Sequence, residues 1–170
     1  NDIFFALSHG VHRGTLKSGK IDERIHVLKK IMKNKNIKYD FYGIENIQPV
    51  WADNFIKRIS NSKMGLNLSR GKPTKYYSSD RIAQFVGNGL VTFIHKDTKY
   101  SDFFSDDEMI FYNNTEDLIK KIILIKKNDK LRRKIGRKGK LKYLREFSSE
   151  KVSKYIIIKT LGLENNNKFY

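Results

Sequence analysis

The chain contains no cysteine. Disulfides, thiolate metal sites, iron–sulfur clusters and a cysteine nucleophile are therefore excluded, and the composition fits a reducing compartment. Long apolar runs are also missing: the longest, residues 3–7, and the lysine-flanked bursts at 122–125 and 156–158 fall far short of the ~20 residues that span a bilayer. No GxSxG, P-loop or GxGxxG motif occurs, and no histidine pair stands at i, i+4, so neither a metal site nor a cofactor is expected. The first residues lack an initiator Met and a basic-then-apolar leader and enter a strand-like run almost at once, as in a piece cut from a longer protein. Acidic residues are scarce, with 18 Asp plus Glu against 35 Lys plus Arg, for a formal net charge of +17.

What is present is enough for a real core. Of the 170 residues, 39% are hydrophobic and 12% aromatic, which excludes wholesale disorder and suits one domain. The basic excess needs discounting, because lysine supplies 26 of the basic residues and Ile (20) and Asn (14) are also abundant, the signature of A+T-rich coding. Much of the excess lies in one stripe from Lys120 to Arg145. It reads as a solvated helix face, with two rivals: a nucleic-acid-binding module, or a surface that rests on an anionic membrane.

Apolar patterning alternates strands with helices. Residues 3–7 (IFFAL) form a continuous buried-strand run, and Asp22 caps a helix with Ile25, Leu28, Ile31 and Met32 on one face. Residues 37–44 are a second strand ended by Gly43. Pro49 opens a helix over residues 51–61 with Trp51, Phe55, Ile56 and Ile59 on one face. A third strand covers 64–68, Ser78 or Ser79 caps a helix through Val86, and strands follow at 90–94 and 109–112. Thr115 is expected to cap a helix whose Leu118, Ile119, Ile122, Ile123 and Ile125 face a core. Asp129 starts another helix, broken or bent near Gly136 and Gly139, and Ser148 or Ser149 caps a last one ending at Gly162. The expected fold is α/β: a Rossmann-like three-layer domain over residues 1–163 with a mostly parallel sheet and C-terminal helices, followed by a frayed tail at 164–170.

In such sheets ligands bind where strand ends enter helix N-termini. The densest such loop is 69–79, where Arg70, Lys72 and Lys75 stand beside the free backbone N–H groups of Ser79, Asp80 and Arg81, a setting for a diphosphate. An ordinary Ser-capped helix with a solvated basic loop reads equally from the residues. His12 and His95 are open between surface and ligand roles, and His26 reads as a half-exposed helix residue.

The ordered segments GLNLSRG (65–71), SSDRIAQFVGNGLVTF (78–93) and DDEMIFYNNTEDLIKKI (106–122) resemble the C-terminal, donor-binding domain of GT-B glycosyltransferases, in particular the group 1 and CgeB-like proteins. The matching positions are Leu66, Asn67, Arg81, Gln84, Gly87 and Gly89, then Tyr112, Glu116, Asp117 and Leu118. The resemblance runs over nearly the whole chain. It implies a nucleotide-sugar donor, metal-independent transfer to a glycan or lipid-linked acceptor of the cell envelope, and an N-terminal acceptor domain outside this chain, without which the domain is inactive. A cytoplasmic location follows, peripheral to the membrane's inner face if the basic stripe contacts lipid. Gly10, Arg13, Arg70, Lys75, Ser78, Ser79, Asp80 and Arg81 are then expected at phosphate, and Gly43, Ile44, Asp80 and Gln84 at ribose and base; no catalytic residue is assigned. Two departures stand out. Gln84 replaces the family's ribose-binding Glu, and Tyr76 occupies the first position of the Glu-x7-Glu pair of related retaining enzymes. Gln84 shares a helix face with Arg81 or Asp80, so Ile82, Phe85 and Val86 should turn toward the sheet.

Overall fold

Ile3, Phe4 and Phe5 have no exposed surface, the condition of a strand covered on both faces. They belong to β1 (Ile3–Ala6) in a computed structural model that describes residues 1–8, 19, 21–77 and 79–163. β1 is joined by β2 (Tyr39–Tyr42), β3 (Met64–Leu66), β4 (Val91–His95) and β5 (Ile110–Tyr112) in one sheet of order β2-β1-β3-β4-β5, with every pairing parallel. The helices are α1 (Glu23–Met32), α2 (Ala52–Ser60), α3 (Asp80–Gly87), α4 (Thr115–Lys127), α5 (Asp129–Glu146) and α6 (Ser149–Thr160). This is the Rossmann-like α/β class that the alternation of strands and helices implies.

The period of two along β1 divides the core. Ile3 and Phe5 pack with Leu28 and Ile31 of α1 and Leu118 and Ile122 of α4, while Phe4 packs on the other face with Ile59 of α2 and Phe85 of α3. The chain leaves β1 toward β2 on one side and returns to β3 on the other. The crevice beyond the carboxyl ends of β1 and β3 is thus the topological switch point, where open parallel sheets take their ligands.

Glycines set how closely helices approach. A Cβ on Gly65 would lie 2.4 Å from the Phe85 ring, so the bare β3 backbone is what lets α3 settle onto the sheet. In α5, a Cβ on Gly136 would meet the Gly89 carbonyl at 2.1 Å and one on Gly139 the Glu108 carbonyl at 2.3 Å. These glycines do not break the helix: α5 runs on for 18 residues, and their missing side chains are spent on backbone-to-backbone packing.

Other expectations change at the helix ends. Asn114, not Thr115, caps α4, its Oδ1 accepting from the Asp117 N–H at 2.9 Å. Asp22 and Ser148 do cap α1 and α6 as expected. Trp51 precedes α2 in extended backbone and is 61% exposed, and Ile56 is 63% exposed, leaving Ile59 as the buried anchor of that helix. α2 covers the sheet along one narrow stripe, so the wider apolar face read from the sequence is not used. α6 buries no side chain, and no described helix is long and apolar enough to cross a membrane.

Substitution Gly136→Ala forces a methyl group into the Gly89 backbone and should cost about 1–3 kcal/mol. At about 2–4 °C per kcal/mol for a domain of this size, calorimetry should show a clear fall in Tm. Gly87→Ala, whose Cβ would have its nearest neighbour at 4.0 Å, should be neutral or slightly stabilising because alanine is the better helix former.

Candidate functional site

Arg81 is the second residue of α3, and its side chain reaches back to the switch point. Its Nη2 donates to the Leu68 carbonyl at 2.8 Å and its Nη1 to the Ala6 carbonyl at 3.4 Å, while the guanidinium lies 5.1 Å from the centre of the Phe5 ring. One side chain thereby ties the end of β1 to the segment after β3. Its Nε is buried and makes no hydrogen bond among the described residues. Burial, reinforced by the charge of Arg24, pulls Arg81 down to about 10. It stays protonated at neutral pH, and because the folded value lies below the ordinary arginine value, holding the charge there costs stability that an anion in the cleft would return.

Arg24 and Arg70 complete a cationic wall. Arg24, the second residue of α1, is gripped by the buried Asp22 carboxylate through Nε at 3.0 and 3.1 Å and Nη2 at 2.5 Å. Arg70 approaches the same carboxylate with its Nε at 3.8 Å and remains largely exposed. Asp22 thus does two jobs: it caps α1 through the Arg24 N–H and aims two guanidiniums at one place. Together Arg24, Arg70 and Arg81 line a cleft of about 540 Å³, bounded at β1 by Ala6, Leu7 and Ser8. Along its other side run Ser79, Asp80 and Gln84 of α3 and its cap. The far rim is apolar, formed by Val50, Trp51 and Phe55.

Of the residues singled out in the sequence, Arg70, Ser79, Asp80, Arg81 and Gln84 come together here. Ile82, Phe85 and Val86 face the core as the helical spacing requires, leaving Gln84 exposed on the cleft side. Ser79 occupies the cap position of α3 but donates its Oγ to Asn67 Oδ1 at 2.7 Å instead of accepting from the helix. Lys75 stands over the Tyr76 ring, 4.7 Å from its centre, and does not line the cleft. Ile44 is fully buried, and Gly43, at φ 72°, presses against the Leu7 carbonyl where a Cβ would sit 1.9 Å away; neither reaches the cleft. Gly10, Arg13 and Ser78, with His12 and the tail 164–170, lie outside the described residues.

Tyr76, at the position of the missing Glu, is held in left-handed backbone at φ 59°, with its hydroxyl donating to Asp102 at 2.6 Å and its N–H to the Thr98 carbonyl. The hydrogen bond to Asp102 shifts its phenol upward. Lys130, Arg133, Lys134, Arg137 and Lys138 of the basic stripe are exposed, and none lines the cleft. Several spend their charge locally, as Arg132 and Arg133 on Asp129 and Lys138 on Asp107. No three His, Asp or Glu side chains gather as a metal-holding group among the described residues.

Sequence reasoning missed Arg24, Trp51, Phe55 and Tyr77 as cleft residues. The available signal was position: Trp51 follows the carboxyl end of β2, and Arg24 opens α1 two residues after an acidic cap.

The sheet order and the three converging guanidiniums define an α/β domain with a cationic cleft at its switch point. Residues 19–157 match the model of the glycosyl transferase-like family, and the chain belongs to that family. No curated protein matches it.

Arg81→Met removes the donor from two strand-end carbonyls, a loss of about 1–3 kcal/mol for groups left unsatisfied, and should lower Tm by several degrees. Arg70→Gln, on an exposed side chain, should leave Tm within about 2 °C. Equal losses in the two variants would show that Arg81 does not clamp the strands.

Proposed function

We propose that the chain binds the nucleoside diphosphate part of a sugar donor in the switch-point cleft and serves glycosyl transfer from it. The observation that carries this reading is the convergence of Arg24, Arg70 and Arg81 beside the N-terminus of α3. Guanidiniums and helix N–H groups are strong partners for diphosphate oxygens. In transfer, the bond from the sugar's anomeric carbon to the diphosphate oxygen breaks as the acceptor oxygen bonds to that carbon and loses its proton. Negative charge then develops on the departing diphosphate, and fixed arginines stabilise it without a divalent metal. Gln84 and Asp80, one helical turn apart on the cleft side of α3, are placed for ribose hydroxyls. Trp51 and Phe55 offer the apolar surface on which a base can stack, in place of the buried Ile44. The acceptor, a glycan or a lipid-linked one, belongs to a surface beyond this cleft.

Trp51 is the chain's one tryptophan, so its fluorescence reports on this cleft alone. Titration with UDP, GDP and ADP should quench it for at least one of the three, with matching heats in calorimetry; silence toward all three overturns the reading. Gln84→Ala should weaken that nucleotide up to about tenfold, the worth of a hydrogen bond of about 0.5–1.5 kcal/mol, with Tm unchanged. Gln84→Glu should bind as well or better, since a charged acceptor makes the stronger bond.

Exposed apolar side chains favour a membrane-peripheral setting. Leu141 and Leu144 stand exposed on α5, the helix that also carries Lys138, Lys142 and Arg145, and Tyr155, Ile156 and Ile157 stand exposed on α6. Apolar side chains set among cations suit an anionic lipid interface better than nucleic acid, which offers them no apolar phase. The chain should sediment with vesicles containing phosphatidylserine at physiological salt and less so for Leu144→Ser with Ile156→Ser. Binding to duplex DNA unchanged by that double variant would favour the nucleic-acid alternative.

A further inference from the structure

Ala52, the first residue of α2, stands in left-handed backbone at φ 47°. That conformation is costly for any residue with a Cβ, and residues held in it cluster at ligand clamps and switch regions, where the strain is part of the mechanism. We infer that Trp51 and the first turn of α2 form a lid that swings down over the switch-point cleft when a nucleotide enters, with Ala52 as its hinge. The inference rests on the nucleotide reading above and adds a movement of the protein to it.

The connection that leads to the hinge is bent twice more. Gly43 and Glu45, just after β2, also have positive φ, of 72° and 52°. Glycine takes that conformation freely, whereas Glu45 and Ala52 do not. Residues 46–51 thus form a short strap with a strained residue at either end. Its hydrogen bonds turn back on itself: the Gly43 N–H donates to the Gln48 carbonyl at 3.3 Å and the Ile47 N–H to the Ile44 carbonyl at 2.9 Å. Glu45 pairs with Lys29 of α1 at 2.8 Å, but both side chains are about half exposed, and such surface pairs hold weakly.

α2 is fastened at its C-terminal end. Ile59 in its last turn is buried, and Arg58 lies 5.5 Å from the centre of the Tyr42 ring on β2. Toward the other end Phe55 is half-buried against Phe4, with ring centres 5.4 Å apart, and Ala52, Asp53 and Asn54 are exposed. α1, α4, α5 and α6 each begin on a side chain that accepts from the helix, whereas Trp51, at the same position of α2, offers no acceptor. The bond from the Phe55 N–H to the Trp51 carbonyl at 3.2 Å lies within the lid and does not tie it to the sheet. Trp51 therefore stands at the cleft with 61% of its surface in water. Closure removes that apolar surface from water, a gain completed when a nucleotide fills the space beneath. The opposite wall, with Asp80 and Gln84, is fixed by Ile82 and Phe85 in the core, so the movement narrows the gap between α2 and α3.

The chain has no cysteine. Asp53→Cys with Ala83→Cys, both exposed and outside the cleft lining, therefore places one spin label on the first turn of α2 and one on α3 of the full chain. Whichever of UDP, GDP and ADP binds by calorimetry should shorten the label-to-label distance by several ångström in pulsed electron resonance. Ala52→Gly removes the cost of the open hinge and leaves the closed one unchanged. It should weaken that nucleotide by about five- to thirtyfold while Tm holds or rises. A bound nucleotide that leaves the distance unchanged, or an affinity that Ala52→Gly does not alter, overturns the lid while the nucleotide reading stands. A lower Tm for Ala52→Gly overturns the strained hinge. Absence of binding by all three nucleotides overturns both.

Discussion

The carboxyl ends of β1 and β3 diverge into connections on opposite sides of the sheet. Arg81 joins them from α3, donating to the carbonyls of Ala6 and, two residues past β3, Leu68, with its guanidinium against the Phe5 ring. A guanidinium suits the place because its planar fork can meet two acceptors from different strands, which a lysine ammonium on a flexible stem does less well. The same contact fixes the α3 N-terminus over the crevice, so the brace of the sheet edge and the cation of the cleft are one group. A buried cation with a second arginine nearby, its Nε without a partner among the described residues, is costly. That cost is the physical reason for expecting an anionic ligand there.

Helix approach decides whether such a brace can form. Gly65 lets Phe85 lie against β3, bringing α3 close enough for Arg81 to reach both strand ends. On the far side of α3, Gly136 and Gly139 let α5 press backbone to backbone onto Gly89 and Glu108, which holds α3 from behind. Interiors packed at crystal-like density transmit such constraints without slack. A methyl group added at any of these contacts moves a helix, and with it the cleft.

The distribution of charge separates quantity from use. Much of the positive charge is lysine and arginine on α4 and α5, screened by solvent or paired with nearby carboxylates. Three arginines outside that stripe, two of them shielded from water and oriented by Asp22 or by carbonyls, line the cleft. Burial and fixed geometry make those few charges count, because field strength grows as water is excluded.

Strand and helix identity was legible in the sequence because each depends on local pattern. The apolar run of β1, the i, i+3, i+4 spacing of α1 and α4 and the glycines after β2 and α3 each specify a conformation within a few residues. The positions Arg70, Ser79, Asp80, Arg81 and Gln84 were legible for the same reason, as a loop and one helix face. What local pattern does not hold is which side of a glycine or an apolar residue meets what. Gly136 and Gly139 read as a break or bend but serve close packing in a continuous helix; Trp51 reads as part of one apolar helix face but lies at the cleft, largely exposed; Asn114 takes the cap that Thr115 was expected to hold. Arg24 joined the site only when the sheet order brought the start of α1 beside the end of β3. The sequence alone determined the elements and the face that α3 presents. Tertiary structure decided the cleft and its walls, because contacts between residues tens of positions apart depend on strand order and helix approach, which no local periodicity encodes.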